Sequence, residues 1–280
     1  MDEASTLPAA YDSHFHLDRL QEALGMGEDS TLDAIHARLH PVEAYDVDVT
    51  GSVANFCDPT TYPDAQTIAS LREQGIRSTI GIHPKHARWV TSSAVAALQE
   101  LIQLPDVAGV GEVGLDHSVP DHEWPSQHEL LRDILPHLEA RHTLVLHGRG
   151  MQGRSSDEVY AALLYQCVGV VDPSQRIHLH CFTGTTVSVR QWLHEFPNTF
   201  FGFTAGAARF RPEQQAAVHY IPQDHLLLET DAPYFPTSGY VHSAPSFMKV
   251  IAESVAQIRG EATEDLLQAS VENGIWLYRR

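Results

Sequence analysis

Eight short apolar runs recur along the 280-residue sequence, and stretches with helical periodicity lie between them. Near-continuous apolar runs rich in β-branched residues are typical of strands in a parallel sheet that is buried on both faces. The alternation of such strands with helices indicates repeated β-α-β units. The eight runs are Ala10–His16, Val47–Phe56, Ile76–His83, Val107–Leu115, Thr143–His147, Arg176–Cys181, Thr199–Phe203 and Leu226–Thr230.

Two architectures are compatible with eight such units, a closed β/α barrel and an open doubly wound sheet. A β/α barrel typically takes about 250 residues in one domain, which suits this chain. A doubly wound nucleotide-binding fold usually carries a glycine-rich phosphate loop, and the sequence has neither a GxGxxG nor a GxxxxGK pattern. We therefore predict an α/β fold, an eight-stranded (β/α)8 TIM barrel that forms a single domain over residues 1–280.

Local signals predict some helix boundaries and long loops. Thr91 or Ser92 is expected to cap a helix over Ala94–Leu104, which ends at Pro105. The segment Glu22–His40 is long for a connection and has a helical pattern of its own, so we predict an insertion at about 22–40 on the mouth of the barrel. Further long loops are predicted over Asp116–Ser126 and Pro233–Pro245.

Most of the apolar runs finish in a residue that can bind a metal ion. The carboxyl ends of the strands of a β/α barrel form one rim, and active sites lie on that rim. Residues that are distant in the sequence are therefore expected to meet in one pocket. The strand-end residues are His14, His16, His83, Glu112, His147, His180 and Asp231.

The first run carries the closest pair of candidate ligands, His14 and His16. Side chains two residues apart on a strand point to the same face, so both imidazoles can reach one ion. The same alternation predicts a deeper polar layer, with His178 below His180 and Glu229 below Asp231.

Taken singly, each of these residues has a structural explanation. A lone strand-end histidine is more often hydrogen-bonded within the protein than bound to a metal, and Asp231 is a residue type suited to a helix cap. Burying so many polar groups on one rim without a metal or a partner is costly, so together they predict a metal centre. Histidine is also abundant, at 18 residues, and imidazole is the commonest metal-ligating side chain.

Composition narrows the class of protein further. The formal charge of −18 disfavours broad electrostatic tracking along nucleic acid, yet it leaves room for phosphate binding through local cations. The chain has three cysteines, Cys57, Cys167 and Cys181, and no Cys-x-x-Cys spacing. This pattern argues against a disulfide framework or a thiolate zinc site, so we expect each cysteine to be a small buried apolar residue. No apolar run approaches the ~18 residues that span a bilayer, and the first residues lack a signal pattern. We expect a cytoplasmic or nuclear chain without a membrane partner.

The strand-end residues lie in six motifs that occur in a fixed order. With these motifs the sequence resembles the TatD family of metal-dependent deoxyribonucleases, within the metallo-dependent hydrolase superfamily. The resemblance extends over nearly the whole chain. The motifs are DSHFHLD at Asp12–Asp18, GIHPKHA at Gly81–Ala87, GEVGLD at Gly111–Asp116, LHGR at Leu146–Arg149, HCFTG at His180–Gly184 and LLLETDAPY at Leu226–Tyr234.

The resemblance implies two divalent metal ions and a set of ligands for each. Imidazole and carboxylate donors suit Zn²⁺ or Mn²⁺ at least as well as Mg²⁺. Asp231 and Glu112 are the candidate catalytic residues, and Asp231 is suited to accept a proton from the attacking water. The implied ligands are His14, His16 and Asp231 for one ion, Glu112 as the bridge, and His147 and His180 for the other.

The implied activity is hydrolysis of DNA phosphodiester bonds, with single strands or strand ends as the substrate. His83 and Arg149 are expected to bind phosphate oxygens, Arg149 through its bidentate guanidinium. Glu229 is expected either to orient a ligand or to form an internal salt bridge. After ETDAPY the family commonly has an Arg-Asn-x-Pro stretch, whereas this sequence has YVHSAP, in which His242 is the one candidate cation. The NFCDP segment after the second run also departs from the family.

Two other functions remain compatible with parts of the sequence. The same barrel supports amide, lactone or phosphotriester hydrolysis of small molecules, and such relatives often use a carbamylated lysine as the bridging ligand. The lysines of this chain are Lys85 and Lys249, and neither ends the fourth run. A non-catalytic barrel that binds a partner predicts missing ligands, whereas all six are present.

Overall fold

The computed structural model describes residues 7–27, 30–39, 47–153, 155–237 and 239–279. Eight parallel strands form one sheet in the order β1 to β8, so each strand pairs with the next along the chain. The predicted eight-stranded α/β barrel is confirmed. The strands are β1 Ala9–Phe15, β2 Asp48–Phe56, β3 Ile76–Ile80, β4 Val107–Asp116, β5 Thr143–Arg149, β6 Arg176–His180, β7 Thr199–Phe203 and β8 Leu226–Leu228.

The barrel closes where the residues after β8 meet β1. The backbone N–H of Asp231 donates to the carbonyl of His14 at 2.9 Å, and the N–H of His16 donates to the carbonyl of Ala232 at 2.8 Å. These two bonds join the first and last parts of the sheet at the carboxyl-end rim. Closure therefore brings the His14–His16 pair directly beside Asp231.

Helices follow the strands along the described chain. Helix α4 begins two residues before the predicted start at Ala94, because the hydroxyl of Thr91 accepts a hydrogen bond from the Ala94 N–H at 3.2 Å and caps it. None of the described helices has the length and apolar character needed to cross a membrane. The helices are α1 Leu17–Leu24, α2 Leu32–Leu39, α3 Ala65–Glu73, α4 Ser92–Leu101, α5 Trp124–Ile134, α6 Asp157–Cys167, α7 Thr186–Glu195, α8 Pro212–Tyr220, α9 Met248–Arg259 and α10 Thr263–Leu277.

The segment predicted as an insertion at about 22–40 contains the end of α1 and all of α2, while residues 28, 29 and 40 lie outside the described ranges. In α2, Leu32 and His36 share a surface cavity with Asp48 and Ile76, which stand at the starts of β2 and β3. The starts of parallel strands lie at the end of the barrel opposite to their carboxyl ends. The expectation that this segment lies on the mouth is therefore wrong for α2.

The carboxyl end of α10 closes the amino-terminal end of the barrel. The Thr143 hydroxyl and the Arg176 guanidinium, at the starts of β5 and β6, both donate to the carbonyl of Leu277 at 2.7 Å. Apolar side chains fill the interior beside them, so the functional side chains lie toward the opposite rim. These apolar residues are Tyr11, Val53, Val145, Phe200, Leu227, Val271, Leu277 and Tyr278.

We expect Gly109→Ala to destabilise the barrel. A Cβ atom at Gly109 in β4 would lie 2.5 Å from the carbonyl oxygen of Thr143 in β5, so the paired strands would have to separate. Overpacking of this kind typically costs about 1–3 kcal/mol of unfolding free energy. Urea denaturation measures the change. Gly27→Ala is the matched control, because a Cβ there meets no atom of the described residues within 4 Å. Equal stability of the two variants would contradict the tight β4–β5 pairing.

Candidate metal centre

Glu112 in β4 is the centre of the strand-end cluster and is almost fully buried. Its Oε2 lies 2.5 Å from Nε2 of His180 and 3.2 Å from Nδ1 of His147. Its Oε1 lies 3.6 Å from Nε2 of His16. The two oxygens of one carboxylate therefore face histidines from different sides of the barrel.

Asp231 and the two histidines of β1 form the other part of the cluster. Oδ1 of Asp231 lies 3.2 Å from Nε2 of His16 and 3.7 Å from Nε2 of His14. The His14 ring also stacks on the ring of His180, with 4.1 Å between centroids. The structure thus brings all six ligands implied by the sequence into one buried group.

Several buried polar atoms in this group make no hydrogen bond to any described residue. Both ring nitrogens of His14 and Oδ1 of Asp231 are among them. Burying polar atoms without hydrogen-bond partners costs free energy, so these atoms indicate that the site holds a bound group. Six groups of described residues offer ligand atoms within 4.8 Å of one another. Two of these triads together contain all six residues that the family resemblance implies as ligands, and their imidazole and carboxylate donors fit a divalent cation. The triads are His14, His16 and Asp231, and Glu112, His147 and His180.

The charges in the cluster are strongly coupled. Burial alone would raise the pKa of Glu112, but the facing imidazoles of His180 and His83 and hydrogen bonds from His147 hold it well below its usual value. Burial alone would lower the pKa of His147, yet hydrogen bonds to Asp116 and Glu112 raise it to about 9. The raised pKa of His147 favours its protonated form between the two carboxylates, so binding of a cation by this ring would compete with a proton.

Asp116 contacts this cluster, although the sequence does not single it out as a candidate site residue. Its Oδ2 lies 3.2 Å from Nε2 of His147, so the ring presents Nδ1 to Glu112. A carboxylate in this position fixes the orientation of a metal-binding histidine. The side chain of Gln127 in turn bonds both the N–H and the carbonyl of Asp116, at 2.8 and 3.0 Å. The available signal was alternation, because Asp116 follows Glu112 by four positions on β4 and closes the GEVGLD motif.

The predicted substrate-binding residues His83 and Arg149 both line the central cavity. Nε2 of His83 lies 3.9 Å from Oε1 of Glu112, and its ring lies 4.5 Å from that of His147. Arg149 is exposed at the carboxyl end of β5. His242 is half-buried in the loop after β8 and lies outside the set of described residues that line this cavity.

Glu229 and His178 form the deeper layer that the strand alternation predicts. Oε2 of Glu229 lies 2.9 Å from Nε2 of His178, and both side chains are fully buried. Oε1 of Glu229 accepts a hydrogen bond from the backbone N–H of Cys181. The carboxylate therefore faces a buried imidazole whose pKa is lowered by burial, and it also holds the segment that carries His180.

The central cavity has a volume of about 570 Å³ and opens at the carboxyl-end rim. Two cysteines contribute to its wall, and Sγ of Cys57 lies 3.3 Å from Oε1 of Glu112. The expectation of small buried residues is confirmed for Cys57 and Cys167 and is wrong for Cys181, which is only half-buried. The lining residues are His16, Arg19, Cys57, His83, Lys85, His86, Glu112, His147, Gly148, Arg149, His180, Cys181, Thr183, Asp231, Tyr234 and Phe235.

A family model described as TatD related DNase matches residues 11–279. The chain belongs to the TatD-related DNase family. The human 3′-5′ RNA nuclease TATDN2 is 30% identical over 276 residues, which cover 95% of this chain and 35% of that protein. The chain therefore spans about a third of the length of that relative. The 3′-5′ ssDNA/RNA exonuclease TatD of Pantoea vagans is 29% identical over 274 residues, which cover 91% of this chain and 98% of that protein.

A solved structure of a TatD-family protein shares the fold. YJJV, a TatD homologue from Escherichia coli K12, superposes with a TM-score of 0.73 at 21% identity and covers 97% of this chain and 98% of its own. The family match and the shared barrel confirm the resemblance inferred from the six motifs. The chain is a metal-dependent hydrolase of the TatD family.

We expect the unfolding free energy of the metal-free protein to fall as the pH rises from about 6.5 to about 9. The pKa of His147 is raised to about 9 in the folded chain, so the stability from its bound proton is complete below the unfolded value of about 6.5 and is lost as the pH passes 9. Urea denaturation in EDTA across this range measures the slope. His147→Gln should make the slope shallower without abolishing it, because the pKa values of His16 and His180 are also raised. An unchanged slope in that variant would contradict the assignment.

We expect His147→Ala and Asp231→Ala each to weaken divalent-metal binding by more than about 100-fold, since changes to residues behind a ligand already cost about 10–100-fold. Isothermal titration with Zn²⁺ or Mn²⁺ measures this loss. His194→Ala is the matched control, because the side chain of His194 is 84% exposed. Undiminished binding in both site variants would show that the cation lies elsewhere.

Proposed function

We propose that this chain hydrolyses phosphodiester bonds in single-stranded DNA or RNA from the 3′ end, with two divalent cations. The observation that carries the proposal is the Glu112 carboxylate, whose Oε1 faces His16 while its Oε2 faces His147 and His180. A carboxylate with donors on both sides is suited to bridge two ions, and paired ions about 3.5–4 Å apart are a common arrangement in nucleases.

The donors divide into two sets around that bridge. When bound, the two ions would polarise the phosphoryl oxygens and lower the pKa of water toward about 7. The mixed imidazole and carboxylate set suits Zn²⁺ or Mn²⁺ and also admits Mg²⁺. We assign His14, His16 and Asp231 to one ion, Glu112 to both, and His147 and His180 to the other.

Asp231 is the proposed acceptor of the proton from the attacking water. Its carboxylate lines the cavity, and its Oδ1 makes no hydrogen bond to a described residue. A carboxylate at this position can serve as a general base once it lies within hydrogen-bond reach of the water. Asp116 keeps the ring of His147 in place from behind, since its Oδ2 lies 3.2 Å from Nε2 of that ring.

Permanent cations around the cavity favour a phosphate substrate. Arg19, Lys85 and Arg149 line the cavity wall, although the whole chain carries a formal charge of −18. Nζ of Lys85 lies 3.4 Å from Oδ2 of Asp116, close to the donor group. Arg19 and Lys85 contact the carboxylates of Asp58 and Asp116, so a phosphate would have to compete with these carboxylates for the two cations. The guanidinium of Arg149 is exposed at the end of β5 and is the best placed of the three to take the role of the arginine that the family commonly carries after ETDAPY. We propose that the three side chains hold the phosphate and sugar-phosphate backbone of the substrate.

The choice of a single-stranded nucleic acid rests on the relatives. The names 3′-5′ RNA nuclease and 3′-5′ ssDNA/RNA exonuclease belong to TATDN2 and to the Pantoea vagans TatD. The central cavity of about 570 Å³ is in the size range of small-ligand sites and suits about one nucleotide. Hydrolysis of small amides or lactones is less well supported, because a glutamate stands where those hydrolases often use a carbamylated lysine.

Purified chain with Zn²⁺, Mn²⁺ or Mg²⁺ should shorten a 5′-labelled single-stranded oligonucleotide stepwise from its 3′ end, and EDTA should stop the reaction. Asp231→Asn should lower kcat/KM by about 10²–10⁴-fold, the usual contribution of a general acid or base. Gel analysis of the products measures both effects, with His194→Ala as the control. Activity on esters and lactams but on no oligonucleotide, or wild-type cleavage in both His147→Ala and Asp231→Ala, would overturn the proposal.

A further inference from the structure

We propose that a second cavity beside the metal centre binds a nucleobase of the substrate, from the nucleotide next to the cleaved phosphodiester. This inference rests on the proposed nuclease function. The cavity, here called the base pocket, has a volume of about 840 Å³ and lies between the loops that follow β4 and β5. Its lining residues are His117, Ser118, Val119, Pro120, Asp121, Trp124, Arg149, Gly150, Met151 and Gln152.

The base pocket and the central cavity share one wall residue, Arg149. Both cavities lie on the carboxyl-end rim, and Arg149 is exposed between them at the end of β5. A guanidinium in this position can hold a phosphate oxygen while the base attached to the neighbouring sugar reaches the base pocket. Because Arg149 lines both cavities, their spacing suits a phosphate and the base of the neighbouring nucleotide in one nucleic-acid strand.

An aromatic stack forms one wall of the base pocket. The rings of His117 and Trp124 lie 3.8 Å apart between centroids and are tilted by only 11°. The indole Nε1 of Trp124 donates to the carbonyl of Val119 at 3.2 Å, which fixes the ring in the loop. Proteins that bind single strands commonly stack bases on such aromatic side chains, and the contact tolerates every base because every base has a π face.

The stack is rigidly tied to the metal centre. The N–H of His117 donates to the carbonyl of Arg149 at 2.8 Å. Gln127 of α5 bonds both backbone groups of Asp116, whose side chain contacts His147. His117, the first residue of the base pocket along the chain, thus directly follows Asp116, whose side chain contacts the proposed metal ligand His147. A base held there is positioned relative to the reacting phosphate through these hydrogen bonds to the ends of β4 and β5.

The test compares cleavage of a single-stranded oligonucleotide with cleavage of the same oligonucleotide carrying one abasic site, placed in turn at the terminal and the penultimate position. Trp124→Ala should lower kcat/KM on the intact strand by about 5–100-fold, the range that loss of one base–aromatic stack gives. An abasic site at the bound position should lower the wild-type rate to a similar degree. The same abasic site should have little further effect in Trp124→Ala, since the base then has no stacking partner.

Two variants separate stacking from a structural role. Trp124→Phe keeps an aromatic face and should restore most of the activity on the intact strand. Trp89→Ala is the matched control, because Trp89 is 71% exposed and lies outside the described lining of both cavities. An abasic penalty that persists in Trp124→Ala, or an unchanged rate in that variant on the intact strand, would overturn the inference while leaving the nuclease activity established. A wild-type chain that cleaves no oligonucleotide would overturn the proposed function instead.

Discussion

The buried carboxylate of Asp12 joins the first strand of the barrel to the last. It accepts hydrogen bonds from the backbone N–H of Thr230 at 2.9 Å and of His14 at 3.2 Å, and from the Thr230 hydroxyl. Burial raises the pKa of Asp12 to about 7, although the hydrogen bonds from Thr230 oppose that rise. Asp12 and Thr230 are 218 residues apart in the chain, and each lies next to or near a donor of the metal centre. The geometry of the site therefore depends on the closure of the barrel.

Below the donor group, a second polar layer is sealed inside the barrel. His178 contacts Glu229 on one side and the hydroxyl of Tyr278 on the other, at 2.9 and 2.7 Å. Burial lowers the pKa of His178, which favours the neutral imidazole beside the Glu229 carboxylate. Gly202 leaves the room for this layer, since a Cβ there would lie 2.4 Å from Oε2 of Glu229. The donors at the rim are thus supported from beneath by contacts that leave them little freedom to rotate, which is the condition for a preorganised metal site.

Much of the fold could be predicted because strands of a buried parallel sheet are near-continuous apolar runs in the sequence. Each of the eight predicted runs overlaps an observed strand, and the polar residues that end those runs meet on one rim. Other features depend on pairing that the sequence does not state. The contact of Asp116 with His147 depends on the register of β4 against β5. Cys57 reaches Glu112 because the carboxyl ends of β2 and β4 face each other across the barrel mouth. Helix α2 lies at the amino-terminal end of the barrel because it packs beside the starts of β2 and β3.

The closure of the amino-terminal end of the barrel by the carboxyl end of α10 has a consequence for folding during synthesis. β1 is synthesised before β8 and α10, so the edge of β1 that pairs with the residues after β8, and the Thr143 and Arg176 side chains that donate to the Leu277 carbonyl, lack their partners until those later segments emerge. Until then the growing chain exposes an unpaired parallel edge and an open apolar interior, which are features that invite misassociation during synthesis. For the same reason, His14 and His16 meet Asp231 only once the residues after β8 have paired with β1.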